Sequence, residues 1–199
     1  MNPAMSVAKV LHIRGMVCSR CIKVLGEELA RNGVTVKNTS LGRAVVEYDP
    51  EKSDLAHIQK ILKKNDFSLI TDRELQLVEQ IKIIILQMVS NSDKEKIPKR
   101  FSEVIANELG FNYSYLSKLF TRHERITIER YLILNKIEKI KELLEYDSKL
   151  NLGETAQQLN YSSLSHLSKQ FKEVSGISLS NYKSFLKHLR RPLDHLLVT

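Results

Sequence analysis

The apolar positions of this 199-residue chain follow two regimes. Up to about residue 71, short runs alternate between strand-like and helix-like spacing; beyond it the spacing is helical throughout. Ala8-Lys9-Val10-Leu11-His12-Ile13 reads as a strand. Cys21 to Ala30 reads as a helix with Ile22, Leu25 and Leu29 on one face. Val34 to Leu41 and Arg43 to Tyr48 are two strands joined through Gly42. Ser53-Asp54 can cap a helix through Leu62 that turns Leu55, Ile58, Ile61 and Leu62 inward, and Phe67 to Ile70 is a last short strand. The order βαββαβ is that of the ferredoxin-like split arrangement.

From Asp72 to Val89 the pattern predicts a strong helix. Val78, Ile81, Ile85 and Met88 form one stripe, and Leu77, Ile83, Ile84, Leu86 and Val89 widen it beyond one face. Such a helix must be covered on more than one side, by both domains or by a second subunit. Asn91 to Arg100 is a charged loop, and Ser102 is placed to cap the helix after it. Ile128 to about Glu145 is a long helix with Ile133, Ile137, Ile140 and Leu144 at helical spacing. It spans roughly 27 Å at about 1.5 Å per residue. The tail, Lys187 to Thr199, carries His188, Arg190 and Arg191 and reads as a solvated helix end, with contact to backbone phosphates as the sharper alternative. The predicted class is therefore an α+β domain, residues 1–71, followed by an all-α domain, residues 72–199.

Within the second domain the chain writes one unit twice. Leu109-Gly110-Phe111-Asn112-Tyr113-Ser114-Tyr115-Leu116-Ser117-Lys118-Leu119-Phe120, ending at Tyr131, returns as Leu159-Asn160-Tyr161-Ser162-Ser163-Leu164-Ser165-His166-Leu167-Ser168-Lys169-Gln170-Phe171, ending at Tyr182. The offset is 50 at the leucines and 51 at the phenylalanines, so the second turn has gained one residue. Each copy reads as helix-turn-helix. Ala106 or Ala156 lets two helices cross closely, Gly110 or Asn160 ends the first helix in the left-handed conformation, and Leu116, Leu119 and Phe120, or Leu167 and Phe171, point inward. The outer face holds Ser117 and Lys118, then Ser168 and Lys169, side chains suited to base edges and phosphates. One copy alone would pass for a helical hairpin with a solvated face; two copies with a common Leu-Ser-Lys centre favour nucleic acid. The long helix between them could hold two such helices about one duplex turn, roughly 34 Å, apart.

Residues from about Asp72 to Phe185 resemble the DNA-binding domain of AraC/XylS-type transcription regulators. The signature of the family's second unit stands here as Leu159-Asn160-Tyr161-Ser162-Ser163, His166-Leu167-Ser168, Phe171-Lys172, Gly176-Ile177-Ser178 and Tyr182, with Asn160 for the usual Gly and Leu179 for the usual Pro. The resemblance implies two helix-turn-helix units and double-stranded DNA as partner. It assigns Asn112, Ser114, Ser117 and Lys118 of the first unit, and Ser165, His166, Ser168 and Lys169 of the second, to DNA contact, with Arg122 and Lys172 a turn further on at phosphate.

Both cysteines lie in Gly15-Met16-Val17-Cys18-Ser19-Arg20-Cys21, between the first strand and the first helix. Helix-start N–H groups and the helix dipole favour thiolate there, and two thiolates at this spacing can grip one soft ion. The stretch, with about residues 7–70 around it, resembles heavy-metal-associated domains of copper chaperones and metal-transport ATPases. Cys18 and Cys21 would then be the ligands, Met16 a buried prop, and Cu(I) the ion, held nearly linearly. Val17 replaces the usual Thr, and Arg20 sets a cation beside the site. Zn²⁺ suits two thiolates less well because it takes four ligands; a homodimer could supply four. His12 is another conceivable ligand, though a lone strand histidine is more often surface. A redox pair that closes to a disulfide, or a domain kept only for dimerisation, are the other readings.

Composition sharpens this little. The formal net charge is +8, a field that favours a polyanion. Yet it is not concentrated: residues 1–71 carry 11 Lys and Arg against 7 Asp and Glu, and residues 72–199 carry 20 against 16. Apolar runs such as Ile83 to Leu86 are far shorter than the about 20 residues of a membrane span. Lys9, His12 and Arg14 interrupt any signal-peptide core, so a cytoplasmic protein is expected. The six histidines do not cluster with acids or with the cysteines, and there is no Gly-rich phosphate loop, so neither an enzyme nor an organic cofactor is expected. The reading is a DNA-binding regulator responsive to a soft metal ion. The rivals are a thiol redox-sensing regulator and a metal chaperone or buffer whose helical half docks a protein partner.

Overall fold

The computed structural model describes residues 6–147 and 150–189, with side chains to residue 186. The calls on Arg190, Arg191 and the side chain of His188 lie outside what is described. The chain divides into two compact units, residues 1–84 and 85–199.

The first unit runs β1 (Val7–Arg14), α1 (Ser19–Arg31), β2 (Thr35–Ser40), β3 (Arg43–Tyr48), α2 (Leu55–Lys64) and β4 (Ser68–Leu69). Its four strands form one sheet in the order β2-β3-β1-β4, every neighbouring pair antiparallel. Val7 stands opposite Tyr48 and His12 opposite Arg43 along β1 and β3. Alternation along the strands sends Leu11, Ile13, Ala44, Val46 and Tyr48 to one face. There they meet Leu25 and Leu29 of α1 and Ile58, Ile61 and Leu62 of α2 in a single core. Asp54 caps α2 by accepting the His57 N–H at 2.7 Å. The fourth strand is shorter than the sequence predicts. Ser68 and Leu69 pair with Arg14 and Ile13, Ile70 adds an N–H bond to the His12 carbonyl at 2.7 Å, and Phe67 has no strand opposite because β1 ends at Arg14.

Helix α3 (Arg73–Ser90) starts where the sequence places it, with Asp72 accepting the Leu75 N–H at 2.8 Å. The division between units falls inside α3 rather than ahead of it. Its early turns belong with the sheet. Gly42, in the β2–β3 turn at φ +69°, lies so close under Ile83 that a methyl group there would collide with the isoleucine side chain. Glu79, buried, makes long ion pairs with Arg14 (3.8 Å) and Lys82 (3.6 Å) rather than a hydrogen bond.

The second unit continues with α4 (Phe101–Leu109), α5 (Tyr113–Glu124), α6 (Ile128–Tyr146), α7 (Leu152–Gln158), α8 (Leu164–Ser175) and α9 (Leu179–Leu189). Phe120 and Phe171 are its largest fully buried side chains. Truncating a ring in such a position costs about 3–5 kcal/mol. Ser102 does not cap α4. The helix begins at Phe101, its N-cap is Arg100, and no side chain bonds the first N–H groups. Arg100 instead reaches Glu103 at 3.0 Å, an ion pair within the first turn. No helix among the described residues is long and apolar enough to cross a membrane.

Candidate functional site

The repeat seen in the sequence is a repeat of local geometry. Helix α4 ends on Gly110 at φ +70°, and α7 is followed by Asn160 at φ +56°, each in the left-handed conformation. Asn112 caps α5 by accepting the Ser114 N–H, and Ser163, 51 residues on, caps α8 by accepting the His166 N–H. The extra residue of the second copy sits between the left-handed residue and the cap. Beyond each second helix comes another left-handed residue, Arg125 or Gly176, then a hydroxyl cap, Thr127 or Ser178. Phe120 meets the Tyr131 ring with centroids 5.5 Å apart, and Phe171 meets Tyr182 at the same separation.

Burying Leu116, Leu119 and Phe120 in one copy, and Leu167 and Phe171 in the other, fixes which face turns outward. On α5, Ser114, Lys118 and Arg122 are exposed at spacings of four, one stripe along the helix. On α8, Ser165 and Lys169 are exposed at the corresponding positions, Glu173 stands where Arg122 does in the first copy, and the exposed Lys172 lies beside it. Ser117 and Ser168 stand half-buried at the edge of each stripe. The carboxamide oxygen of Asn112 is taken up by its cap, so that residue positions the helix. His166, exposed, turns its ring edge-on to Tyr161 with centroids 5.4 Å apart, and its Nδ1 lies 3.0 Å from the Ser162 hydroxyl. Short polar and cationic side chains on two helices of the same build can hydrogen-bond base edges and neutralise phosphates.

Sequence reasoning overlooked Lys136. It lies on α6 among the inward residues Leu132, Ile137, Ile140 and Leu144, and is only 7% exposed. Its Nζ stands 5.0 Å from the centre of the Tyr161 ring. Burial alone pushes its pKa down to about 8. The signal was present: position 136 falls on the apolar stripe of α6, where a lysine breaks the pattern.

The thiol pair is built at the start of α1. Gly15 has φ +96°, and a Cβ there would come within 3.0 Å of the Asp66 carbonyl oxygen. Only glycine brings the loop this close. Met16 is buried in the core beneath the loop, whereas Val17 is exposed. Cys18 is the N-cap residue of α1 and Cys21 lies in its first turn. Their sulfurs are 3.3 Å apart, and the Cys21 thiol also points to the Gly15 carbonyl at 3.8 Å. Cys18 is exposed, and its pKa is lowered by the Cys21 backbone N–H first, then by the Cys21 thiol, with a smaller contribution from Arg20. Two adjacent soft sulfurs, one favoured as thiolate, fit a soft ion of low coordination number. A four-ligand ion would need more, and among the described residues no group of three His, Cys, Asp or Glu gathers. His12, opposite Arg43, does not join the cysteines.

Residues 105–184 match the family model of a helix-turn-helix domain, a span that covers both copies of the unit. Among solved structures, the C-terminal domain of AraT, a response regulator from Geobacillus stearothermophilus, is similar at 25% identity with a TM-score of 0.47, over 57% of this chain and 88% of that one. No curated protein matches the chain. The match places a helix-turn-helix domain within the C-terminal unit, over residues 105–184.

Proposed function

We propose that this protein is a sequence-specific transcription regulator of AraC type, whose N-terminal unit is ferredoxin-like and responds to a soft metal ion, Cu(I), held by Cys18 and Cys21. The observation that carries the DNA reading is the doubled helix-turn-helix. Two caps, two left-handed turns and two Phe–Tyr contacts recur 50 or 51 residues apart, and each copy offers a Ser/Lys stripe outward. Lys118 and Lys169 reach base edges, Ser114, Ser117, Ser165 and Ser168 flank them, and Arg122 and Lys172 neutralise phosphates. Gel-shift titration against fragments chosen by site selection tests it. Binding to the selected duplex should weaken steeply with salt, as counterion release requires, and the absence of saturable DNA binding at low salt would leave the chaperone or buffer reading standing.

For the metal reading the support is the donor chemistry: two sulfurs 3.3 Å apart on a glycine-built loop. When bound, a soft cation supplies a positive charge that ties the two thiolates together. The chain's own part is to hold Cys18 at the N-cap of α1, to seat Met16 under the loop, and to place Arg20 beside the negative pair. Reduced protein titrated with Cu(I) against a competing chelator should retain one ion per chain, and Cys18→Ser/Cys21→Ser should retain none. Equal retention by the double variant would remove the cysteines from the site.

A further inference from the structure

The helix-turn-helix unit contains a cavity of about 220 Å³ that neither the DNA-facing stripes nor the thiol pair uses. It opens between α6 and α8, beside the loop ahead of α4, where the Ile97 N–H bonds the Gln158 carbonyl at 3.0 Å. Its walls are of two kinds. Ile97, Phe101, Leu132 and Ile133 are apolar. Lys136 and Tyr161 are polar, and both are more than nine-tenths buried.

What distinguishes these two groups is what they lack. The Lys136 ammonium faces the Tyr161 ring, but no hydrogen-bond acceptor and no carboxylate pairs with it among the described residues. The buried Tyr161 hydroxyl likewise has no hydrogen-bond partner. The Lys136 side chain is buried but its Nζ still meets the cavity, where an ammonium is poorly solvated, and a fully buried hydroxyl left unbonded is costly. Two such costs beside one cavity define a place where an acceptor-bearing molecule would gain what the protein's own side chains do not provide.

The charges around the cavity choose the sign. Lys99 is a second cation in the wall, and His166 lies at the edge on α8. The single carboxylate is Glu129, already taken up by the Tyr113 hydroxyl, which donates to it at 2.6 Å. Burial lowers the Lys136 pKa only to about 8, so the ammonium remains protonated near neutrality. Size sets the class: a cavity of about 150 Å³ holds benzene, so this one has room for a comparable apolar body and a small charged head.

We infer that the cavity between α6 and α8 is a binding site for a small organic carboxylate, its head group on Lys136 and Tyr161 and its short apolar body against Leu132, Ile133 and Phe101. Because His166 and Gln170 of α8 also line the cavity, an occupant touches the same helix that carries Ser165 and Lys169. An effect on DNA binding would rest on the DNA reading above; the site itself does not, and its test needs no DNA.

Calorimetric titration of the full-length reduced protein with hexanoate, and separately with 1-hexanol as neutral counterpart, tests the inference. Hexanoate should bind at one site per chain, at least about tenfold more tightly than the alcohol, since a charged acceptor is matched to a buried donor. Lys136→Met keeps the length and apolar stem of the side chain, and should weaken hexanoate at least about tenfold and remove the preference over the alcohol. Tyr161→Phe deletes only the hydroxyl and should weaken hexanoate several-fold. Lys60→Met, an exposed charge loss on α2, should bind like wild type. Melting curves confirm that each variant is folded. Should Lys136→Met fail to fold, the NMR ring signals of Tyr161 in wild type decide, since they should shift on adding hexanoate. No saturable binding up to about 10 mM, equal binding by a folded Lys136→Met, equal affinity for the alcohol, or unmoved Tyr161 signals would each overturn the assignment.

Discussion

At the scale of single residues, Lys136 links stability to pH in a direction that can be worked out. Burial lowers its pKa from 10.5 to about 8 in the folded chain. Below about pH 8 both folded and unfolded states carry the proton, and the cost of burying the charge is borne in full. Between about pH 8 and 10.5 the folded state loses the proton first, so the unfolded state binds more protons and stability rises with pH. The whole effect is on the order of 3 kcal/mol. Burial raises the Tyr161 pKa, as does burial joined by the Glu129 bond at Tyr113; unfolded tyrosines ionise from about pH 10, which turns the trend down above that point. Denaturant unfolding at pH 8, 9 and 10 should therefore show rising stability in wild type. Lys136→Met should flatten most of that rise, and should be more stable than wild type by about 1–3 kcal/mol at pH 7. The difference between the two proteins separates Lys136 from Cys18, whose lowered pKa acts in the same direction. Parallel pH profiles would mean that the Lys136 ammonium is solvated. A single lysine on an apolar stripe was visible in the sequence, but its burial was not. That depends on Tyr161 folding back over α6 from the second unit's turn, a contact 25 positions away along the chain.

At the scale of elements, the doubled helix-turn-helix was legible because each device that shapes it is local. A left-handed residue, a side-chain cap and an i, i+3, i+4 apolar stripe all lie within a dozen positions, so the offset of 50 or 51 exposes them together. The start of α4 was misread for the same reason. Ser102 has the chemistry of a cap, but the chain turns into the helix two residues earlier, at Arg100, so the hydroxyl falls within the first turn. The late start of β4 was not legible either, since Phe67 falls opposite Gly15, beyond the end of β1. Two sets of substitutions separate shape from recognition. Asn112→Ala and Ser163→Ala remove caps, and each should cost about 0.5–2 kcal/mol of stability in denaturant unfolding. Lys118→Ala and Lys169→Ala remove exposed cations and should leave stability within about 0.5 kcal/mol of wild type, while each costs about 1–3 kcal/mol in binding the selected site. Arg122→Ala and Lys172→Ala should instead weaken selected and unrelated duplexes alike and reduce the salt slope by about one. If both lysine variants bind the selected site at wild-type strength, the outward stripes do not read bases.

At the scale of the molecule, the question is whether an ion at the cysteines can change what the helices do at DNA. It can only if the chain has two states that differ both in metal affinity and in DNA affinity. Helix α3 is the element to examine, because the division between units passes through it: Val78, Ile81 and Ile84 are buried ahead of that point, Ile85 and Val89 beyond it. Its excess of apolar positions was the feature that marked it in the sequence. Within the first unit, a physical chain runs from the thiol loop to this helix. Arg14 ends β1 immediately before Gly15 and pairs with Glu79 of α3 at 3.8 Å, and Gly42 admits the Ile83 side chain onto the β2–β3 turn. Tightening the loop around an ion would bear on Arg14, and through Glu79 on the early turns of a continuous helix. A coupling of about 1–3 kcal/mol corresponds to a shift of about 5- to 150-fold in operator affinity on metal loading. Affinity for the selected duplex should be measured with and without Cu(I), under reductant, for wild type, Cys18→Ser/Cys21→Ser and Glu79→Gln. Wild type should shift, the cysteine variant should not, and Glu79→Gln should bind the ion normally yet shift less. A wild type that loads one Cu(I) with unchanged operator affinity would exclude sensing, leaving the N-terminal unit with a structural role or one in dimerisation. A full shift in Glu79→Gln would instead keep the sensor and discard the Arg14–Glu79 route.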